Sequence, residues 1–418
     1  MVVVGAGFAG LAAVDELAGA PVRVTLVDRA NFHTFLPLLY QVATAGLNPA
    51  DVAHPIRGIV GRHPNVRVRQ ASVVGVDWDD RALHLERESS PLAPLGFDHL
   101  VVAGGSTVSY FGIAGAAENA FPLYSLEDAT VLRNHVLSCF EAADVDPERA
   151  DDGLLTFVVV GGGPTGVEVA GALAELVDQV LTRDFPWLRA DRSRVRVVLV
   201  EMADSLLLAF GSPSRQHALD ALRERGVEVL LRESVESASD REVVLASGRA
   251  IPSSTLVWAA GVRGAALAEA LGVPLGRGGR IDVDSDLSIP GRTDAYAVGD
   301  IANIPDVRDG GMLPQLAPVA QQSGRHAARQ ILARIEGRPT RPVRYVDKGI
   351  MATIGRRAAV AELPLGLRLS GTPAWFAWLF LHLVTLVGFR NRLSVFLNWA
   401  WNYFTWDRGP RLILGRRR

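Results

Sequence analysis

Residues able to hold a phosphate recur twice in this chain, at the same spacing and after the same kind of strand. Val2-Val3-Val4 runs into Gly5-Ala6-Gly7-Phe8-Ala9-Gly10, and Phe157-Val158-Val159-Val160 runs into Gly161-Gly162-Gly163-Pro164-Thr165-Gly166, 156 positions later. A strand that enters GxGxxG and leaves as a helix turns unpaired backbone N–H groups, and the positive end of the helix dipole, toward a pyrophosphate. Glycine is required because a side chain would obstruct the tight turn and the approach of the phosphates. One such loop is weak evidence. Two in the same context point to two dinucleotides bound face to face by one chain.

Each loop is followed by a second strand that ends in an acid. Val22-Arg23-Val24-Thr25-Leu26-Val27 leads to Asp28, 18 residues past Gly10, and Val195-Arg196-Val197-Val198-Leu199-Val200 leads to Glu201, 35 residues past Gly166. A carboxylate there accepts hydrogen bonds from adenosine ribose hydroxyls. Glu201 would also repel a 2′-phosphate, and Met202 beside it offers no guanidinium, so NADH is expected over NADPH at the second loop.

The elements that must position these groups read as α/β throughout. Asp98-His99-Leu100-Val101-Val102-Ala103 closes the first unit and runs into Gly104-Gly105-Ser106, a turn that lets backbone approach a ligand. Ala142 to Asp152 reads as a solvated loop before the second unit. That unit carries strands at 195–200, 227–231 and 255–258, the last ending in Ala259-Ala260-Gly261. A further strand, Asp294-Ala295-Tyr296-Ala297-Val298, ends in Gly299-Asp300. The repeated plan predicts two Rossmann-like dinucleotide-binding domains, one inserted into the other.

With 418 residues the chain has room for two or three domains of roughly 150 each. A net charge of −2, with no basic stripe carrying aromatics, argues against a nucleic-acid partner. The one cysteine, Cys139, excludes disulfides, cysteine-rich metal sites and a redox-active pair. It shares a helical spacing with Ala129, Leu132, Val136, Phe140 and Ala143, after a Ser125/Asp128 cap, and is expected in the core. No metal-ligand or Ser/His/Asp constellation stands out, so no metal is expected.

The end of the chain differs in kind. Trp375, Trp378, Trp399, Trp401 and Trp406 are five of the eight tryptophans, and tryptophan favours the headgroup level of a bilayer. Ala374 to Phe389 is a nearly uncharged helix candidate, roughly 24 Å long and too short to span. Asn391, Ser394, Asn398 and Asn402 form a polar stripe on the next helix, while Leu393, Phe396, Leu397, Ala400 and Phe404 face elsewhere. Arg408, Arg411 and Arg416-Arg417-Arg418 add charge suited to anionic lipid. Two amphipathic helices, about 374–389 and 391–405, are expected to lie in the membrane interface.

Pro37-Leu38-Leu39-Tyr40-Gln41-Val42-Ala43-Thr44-Ala45-Gly46-Leu47, Ser109-Tyr110-Phe111-Gly112, Ser125-Leu126-Glu127-Asp128-Ala129, Lys348-Gly349-Ile350-Met351-Ala352-Thr353-Ile354-Gly355 and Gly388-Phe389-Arg390-Asn391-Arg392 accompany the two fingerprints. Ala317-Pro318-Val319-Ala320-Gln321-Gln322 joins them. Over nearly the whole chain this set resembles the type II NADH:quinone oxidoreductases, single-subunit flavoenzymes that do not pump protons. The last-named segment is similar to that family's quinone-site motif, AQxAxQ.

The resemblance implies roles for particular residues. Gly5, Ala6, Gly7, Phe8, Ala9 and Gly10, with Asp28 and Arg29, would hold the ADP half of FAD. Ala103, Gly104, Gly105 and Ala317 would belong to the same cofactor's surroundings, and Asp300 would bond its ribityl chain. Gly161, Gly163, Pro164, Thr165 and Gly166, with Glu201, Ala260 and Gly261, would hold NADH. Glu168 matches the glutamate near the nicotinamide and flavin ring; it would also simply favour a helix N-terminus, by about 0.3–1 kcal/mol. Gln321 and Gln322 would begin a helix against the isoalloxazine on the quinone side, with Lys348 nearby. Lys348 is the only lysine beside 42 arginines, and a compact ammonium whose pKa falls on burial is not replaced by a guanidinium.

The implied organisation is an FAD domain at 1–112 and 276–335, an inserted NADH domain at 113–275, and a membrane-association domain at 336–418. The implied reaction passes hydride from NADH to FAD and two electrons to a membrane quinone, menaquinone or ubiquinone, without proton pumping. The expected place is the cytoplasmic face of a bacterial plasma membrane, with homodimer contacts left open. The chain departs from the family at Leu36, where glutamine is frequent, at Gly104, where threonine is common, and at Pro318, which replaces the first glutamine of the motif. Three residues precede Gly5 where five or more are usual, an expectation that a few N-terminal residues are missing. A reductase passing electrons to ferredoxin or rubredoxin shares the duplicated fold without the tail, and a non-turnover NADH sensor docked on membranes is the other reading left open.

Overall fold

Two parallel sheets, each built around one glycine loop, organise the chain in the computed structural model, which describes residues 1–150, 152–189, 191–308 and 310–414. Packing divides it into two units. One comprises Met1–Thr34, His54–Val108 and Val262–Asp347; the other comprises Phe35–Ala53, Ser109–Gly261 and Lys348–Arg418. Arg416, Arg417 and Arg418, expected to meet lipid, lie outside the described residues.

In the first unit the six-stranded sheet runs Val66–Gln70, Val24–Asp28, Val2–Val4, Leu100–Val102, Arg292–Ala297, Ser288–Ile289. All pairings are parallel except the last. Val2, Val3 and Val4 are buried on both faces, the environment that β-branched runs in parallel sheets require. Helix Phe8–Leu17 packs on helix Ala317–Ile335. The approach is backbone-close: a Cβ on Gly324 would stand 2.1 Å from the Ala9 carbonyl oxygen.

In the second unit the five-stranded parallel sheet runs Ala120–Pro122, Thr255–Trp258, Thr156–Val160, Arg196–Glu201, Val227–Leu231. Helix Leu126–Val145 opens with the Ser125/Asp128 capping box, and Cys139 is buried as its spacing requires. A three-stranded antiparallel sheet, Ile350–Gly355, Ala358–Glu362 and Arg368–Ser370, lies on helix Pro164–Leu176. Gly171 makes that contact, since a Cβ there would fall 1.7 Å from the Ile354 carbonyl oxygen.

This division differs from the four segments drawn on the sequence. Residues 35–53 join the second unit because helix Leu39–Ala43 packs on helices Leu126–Val145 and Pro164–Leu176. Residues 262–275 join the first, where Ala268 and Leu271 enter its core. The C-terminal segment packs into the second unit rather than standing apart.

The terminal helices are Gly371–Thr385 and Phe389–Thr405. The first stops short of residue 389 because the chain turns at Leu386–Gly388, where Gly388 has φ +88°. Among the described residues no helix is long and apolar enough to cross a membrane. The polar stripe of the second helix faces the protein. Asn391 directs its amide at the carbonyls of Ala50, Asp51 and Ala53 (3.2, 3.1 and 3.0 Å), and Ser394 and Asn398 donate to the Asp51 carboxylate (2.6 and 3.1 Å). Phe389, Leu393, Phe396, Leu397, Trp401 and Phe404 are left exposed.

Candidate dinucleotide cradles and an apolar cavity

The two glycine loops are the same construction. Gly5 and Gly161 have φ of +99° and +109°, and their would-be Cβ atoms strike the carbonyls of Ala103 and Ala259 at 2.3 and 2.6 Å. A Cβ on Gly10 or Gly166 would stand 1.8 Å from the carbonyl oxygen of Gly5 or Gly161. Side chains are thereby barred where helix, loop and strand close on each other. Over Gly7 and Gly163 nothing lies within 4 Å, which leaves open the approach that a pyrophosphate needs. Helices Phe8–Leu17 and Pro164–Leu176 start at these glycines with no side-chain cap and no acid in the first turn. The positive end of each helix dipole favours an anion there.

The acids are braced alike. Asp28 accepts from the N–H of Ala6 (2.6 Å) and of Ala30 (2.7 Å); Glu201 accepts from the N–H of Gly162 and of Ala203 (2.7 Å). Each carboxylate is tied to its loop with lone pairs left for ribose hydroxyls. Arg29 and Met202 are exposed beside them. His33, which the sequence did not single out, donates from Nδ1 to the Ala6 carbonyl (2.8 Å) and packs edge-on against Phe8.

Asp300 follows Gly299, whose would-be Cβ meets that of Ala9 at 2.9 Å, so it stands at the head of the first helix. Ser106 donates to its carboxylate (3.3 Å) and Gln315 to its carbonyl (3.0 Å). Gly104 is crowded by Leu267 and Ile301, at 2.9 and 3.1 Å from a built Cβ, a fit that favours glycine over the family's threonine. Gly105 continues that turn with φ +72°. Ala317 opens its helix, and Gln321 and Gln322 stand in its second turn. The Gln322 amide is engaged twice by the Val346 backbone (2.9 Å each). Lys348 is exposed.

Within the second unit lies a cavity of about 560 Å³, lined by Tyr40, Gln41, Glu168, Trp378, Trp399 and Arg408 among mainly apolar neighbours. A smaller pocket of about 120 Å³ touches Leu36, Pro37, Tyr124 and Thr165. Glu168 and Tyr40 belong to the walls of both. The small pocket therefore adjoins the head of the second cradle's helix, at Thr165, and two ionisable groups separate it from the large cavity.

Burial pushes the Glu168 carboxyl up to about 8, against weaker pulls from the Thr353 N–H and the Trp378 indole. The protonated form is therefore favoured near pH 7. Burial and the neighbouring Glu168 hold Tyr40 well above the ordinary phenol range. Its oxygen accepts from Gln41 (2.9 Å), whose own oxygen accepts from Trp399 (2.7 Å). Arg408 was expected at a lipid surface, but it is buried. It donates to the carbonyls of Thr44 (2.8 Å) and Ala172 (3.4 Å) and lies 3.6 Å from Glu175. Arg411 likewise spends its charge on Asp184 and Asp407. The arrangement can receive a flat apolar acceptor and supply it with protons.

Comparison with known proteins agrees with this geometry. A family model described as pyridine nucleotide-disulphide oxidoreductase matches residues 1–324, and one described as the NDH2 C-terminal domain matches residues 348–406. The chain is 37% identical over 426 residues to the type II NADH:quinone oxidoreductase Ndh of Mycobacterium tuberculosis, covering 99% of this chain and 90% of that one. It is 31% identical to the internal alternative NAD(P)H-ubiquinone oxidoreductase A1 of Arabidopsis thaliana mitochondria, covering 96% and 83%. In fold it is similar to NDH2 from Plasmodium falciparum solved in complex with NADH, with TM-score 0.90, 18% identity and 99% of each chain covered.

Proposed function

Since the chain belongs to the type II NADH:quinone oxidoreductase family, we propose that its large apolar cavity receives the quinone ring, with Glu168 and Tyr40 as proton donors. The protein is an NADH:quinone oxidoreductase that uses FAD. Membership decides against the soluble-acceptor reductase and the sensor. The flavin, when bound, supplies the chemistry that takes hydride from NADH and returns two electrons to quinone. The residues contribute position and protons. The first cradle with Asp28 and Asp300 fits FAD, and the second with Glu201 fits NADH. Thr165 and Glu168 border the small pocket at the second cradle, and Glu168 holds the proton that a reduced quinone oxygen needs.

One observation carries this reading: Glu168 and Tyr40 line the cradle-side pocket and the apolar cavity together. Ala400, on the cavity wall, provides the test. Ala400→Trp should leave bleaching of the yellow protein by NADH intact and raise the KM for a quinone analogue by about tenfold or more. Unaltered quinone kinetics would place the acceptor elsewhere. Gln321, Gln322 and Lys348 are proposed on the quinone side from the family motif. Lys348→Ala should slow quinone reduction more than bleaching, and equal slowing of both would refute that role.

The exposed apolar face of the terminal helices supports peripheral attachment to a bilayer; the cytoplasmic side, and turnover that moves no proton across the membrane, are proposed from the family resemblance. Packing of two chains through that face is the competing occupant.

A further inference from the structure

Phe111 presents a ring that is 66% exposed on a backbone with φ +52°. Positive φ is unfavourable for a residue with a side chain and persists where the surroundings impose it, commonly at functional sites. The segment around it is firmly held. Ser109 N–H donates to the Gly261 carbonyl (3.1 Å), the Ser109 carbonyl accepts from the Trp258 indole (2.8 Å), and the Tyr110 ring leans on Trp258 at 5.5 Å. From this anchored stretch the Phe111 ring lies over Gly261, where a Cβ would meet its Cζ at 2.6 Å.

That position is set by the sheet. Strand Thr156–Val160 stands between Arg196–Glu201 on one side and Thr255–Trp258 on the other. A dinucleotide with its pyrophosphate on the Gly161–Gly166 loop and its adenosine ribose at Glu201 must send its other half across the end of Thr255–Trp258. There Ala259 and Ala260 close against Gly161 within 2.6–2.7 Å of its built Cβ, and Gly261 follows under the Phe111 ring.

We infer that Phe111 is the ring on which the nicotinamide half of NADH stacks, a positioning residue for hydride transfer that the strained backbone aims. This rests on the second cradle being the NADH site. An offset aromatic contact there adds attraction and excludes water from one face of the nicotinamide. The ring's exposure leaves it no share in the core.

Titration calorimetry on the full-length protein with NAD⁺ and with ADP-ribose, which lacks only the nicotinamide, separates the alternatives. Phe111→Ala should weaken NAD⁺ by about 3- to 10-fold and leave ADP-ribose unchanged; Phe111→Tyr should keep wild-type affinity for both. Phe111→Gly, which relaxes the positive φ, should lose the same NAD⁺ affinity while Tm rises by about 1–3 °C. Equal weakening of the two ligands, or unchanged NAD⁺ binding by Phe111→Ala, overturns the inference. Wild-type protein that binds neither ligand overturns the dinucleotide reading of the cradle itself.

Discussion

Glu168 and His382 are titratable groups whose burial works in opposite directions with pH. Burial raises Glu168 to about 8, so between pH 4.5 and 8 the folded chain holds a proton that the unfolded chain has released. Stability on its account falls as pH rises through that window. His382 is stacked on Trp378 at 4.0 Å, bonded to its carbonyl, and lowered by burial to about 4. Its neutral form contributes stability that is present above pH 6.5 and lost as pH falls through 4. Glu168→Gln should remove the fall in Tm that Glu168 contributes between pH 4.5 and 8 and leave the profile below pH 4.5 unchanged. A profile parallel to wild type would show that the carboxyl is solvated after all. Glu201 carries two tasks, ribose recognition and bracing of Gly162. Glu201→Arg should shift the NADPH/NADH ratio of kcat/KM upward and lower Tm by a few degrees; an unmoved ratio would remove the basis for NADH preference.

At the scale of elements, helix Phe389–Thr405 is fixed by polar contacts and faces outward with its apolar side. Asn391 is 8% exposed and serves three backbone carbonyls of residues 50–53. Asn391→Leu removes the amide donor that those carbonyls share, and a loss of about 2 kcal/mol is expected, read as a lower urea midpoint. Leu393→Asp, on the exposed side, should leave that midpoint where it is. The glycine loops behave as single units in the same way. Gly166→Ala forces a methyl against the Gly161 carbonyl, so NAD⁺ binding should disappear while FAD remains bound. Retention of NAD⁺ would mean that the second loop does not hold the pyrophosphate.

For the whole molecule the question is what the exposed aromatic face meets. Phe389 and Phe404 are each 81% exposed, with Phe376, Phe380, Leu397 and Trp401 also uncovered. Patches of that kind mark interaction surfaces. Co-sedimentation with anionic liposomes should retain wild-type protein and lose a Phe396→Ser/Phe404→Ser variant of unchanged Tm. Equal retention would transfer the face to chain–chain contact, detectable as a concentration-dependent dimer. In proteoliposomes NADH oxidation should proceed without a pH change in the lumen, and acidification by this chain alone would contradict the proposed transport-free turnover.

The sequence by itself determined the cradles. A strand, a glycine turn and a helix are contiguous, and the steric demands of Gly5, Gly10, Gly161 and Gly166 arise from neighbours a few residues away or from the next parallel strand. Residue spacing therefore records them, and Asp28 and Glu201 with them. The cavity was decided only by tertiary structure. Tyr40, Glu168 and the stretch from Trp378 to Arg408 are separated by 128 and 210 positions, and no local pattern links them. The same holds for the direction of the last helix. Periodicity separates the asparagine stripe from the phenylalanine stripe, but the angle between two faces does not say which is inward. Asp51 and the carbonyls around it settle that, and they turn the tryptophan-rich end inside out.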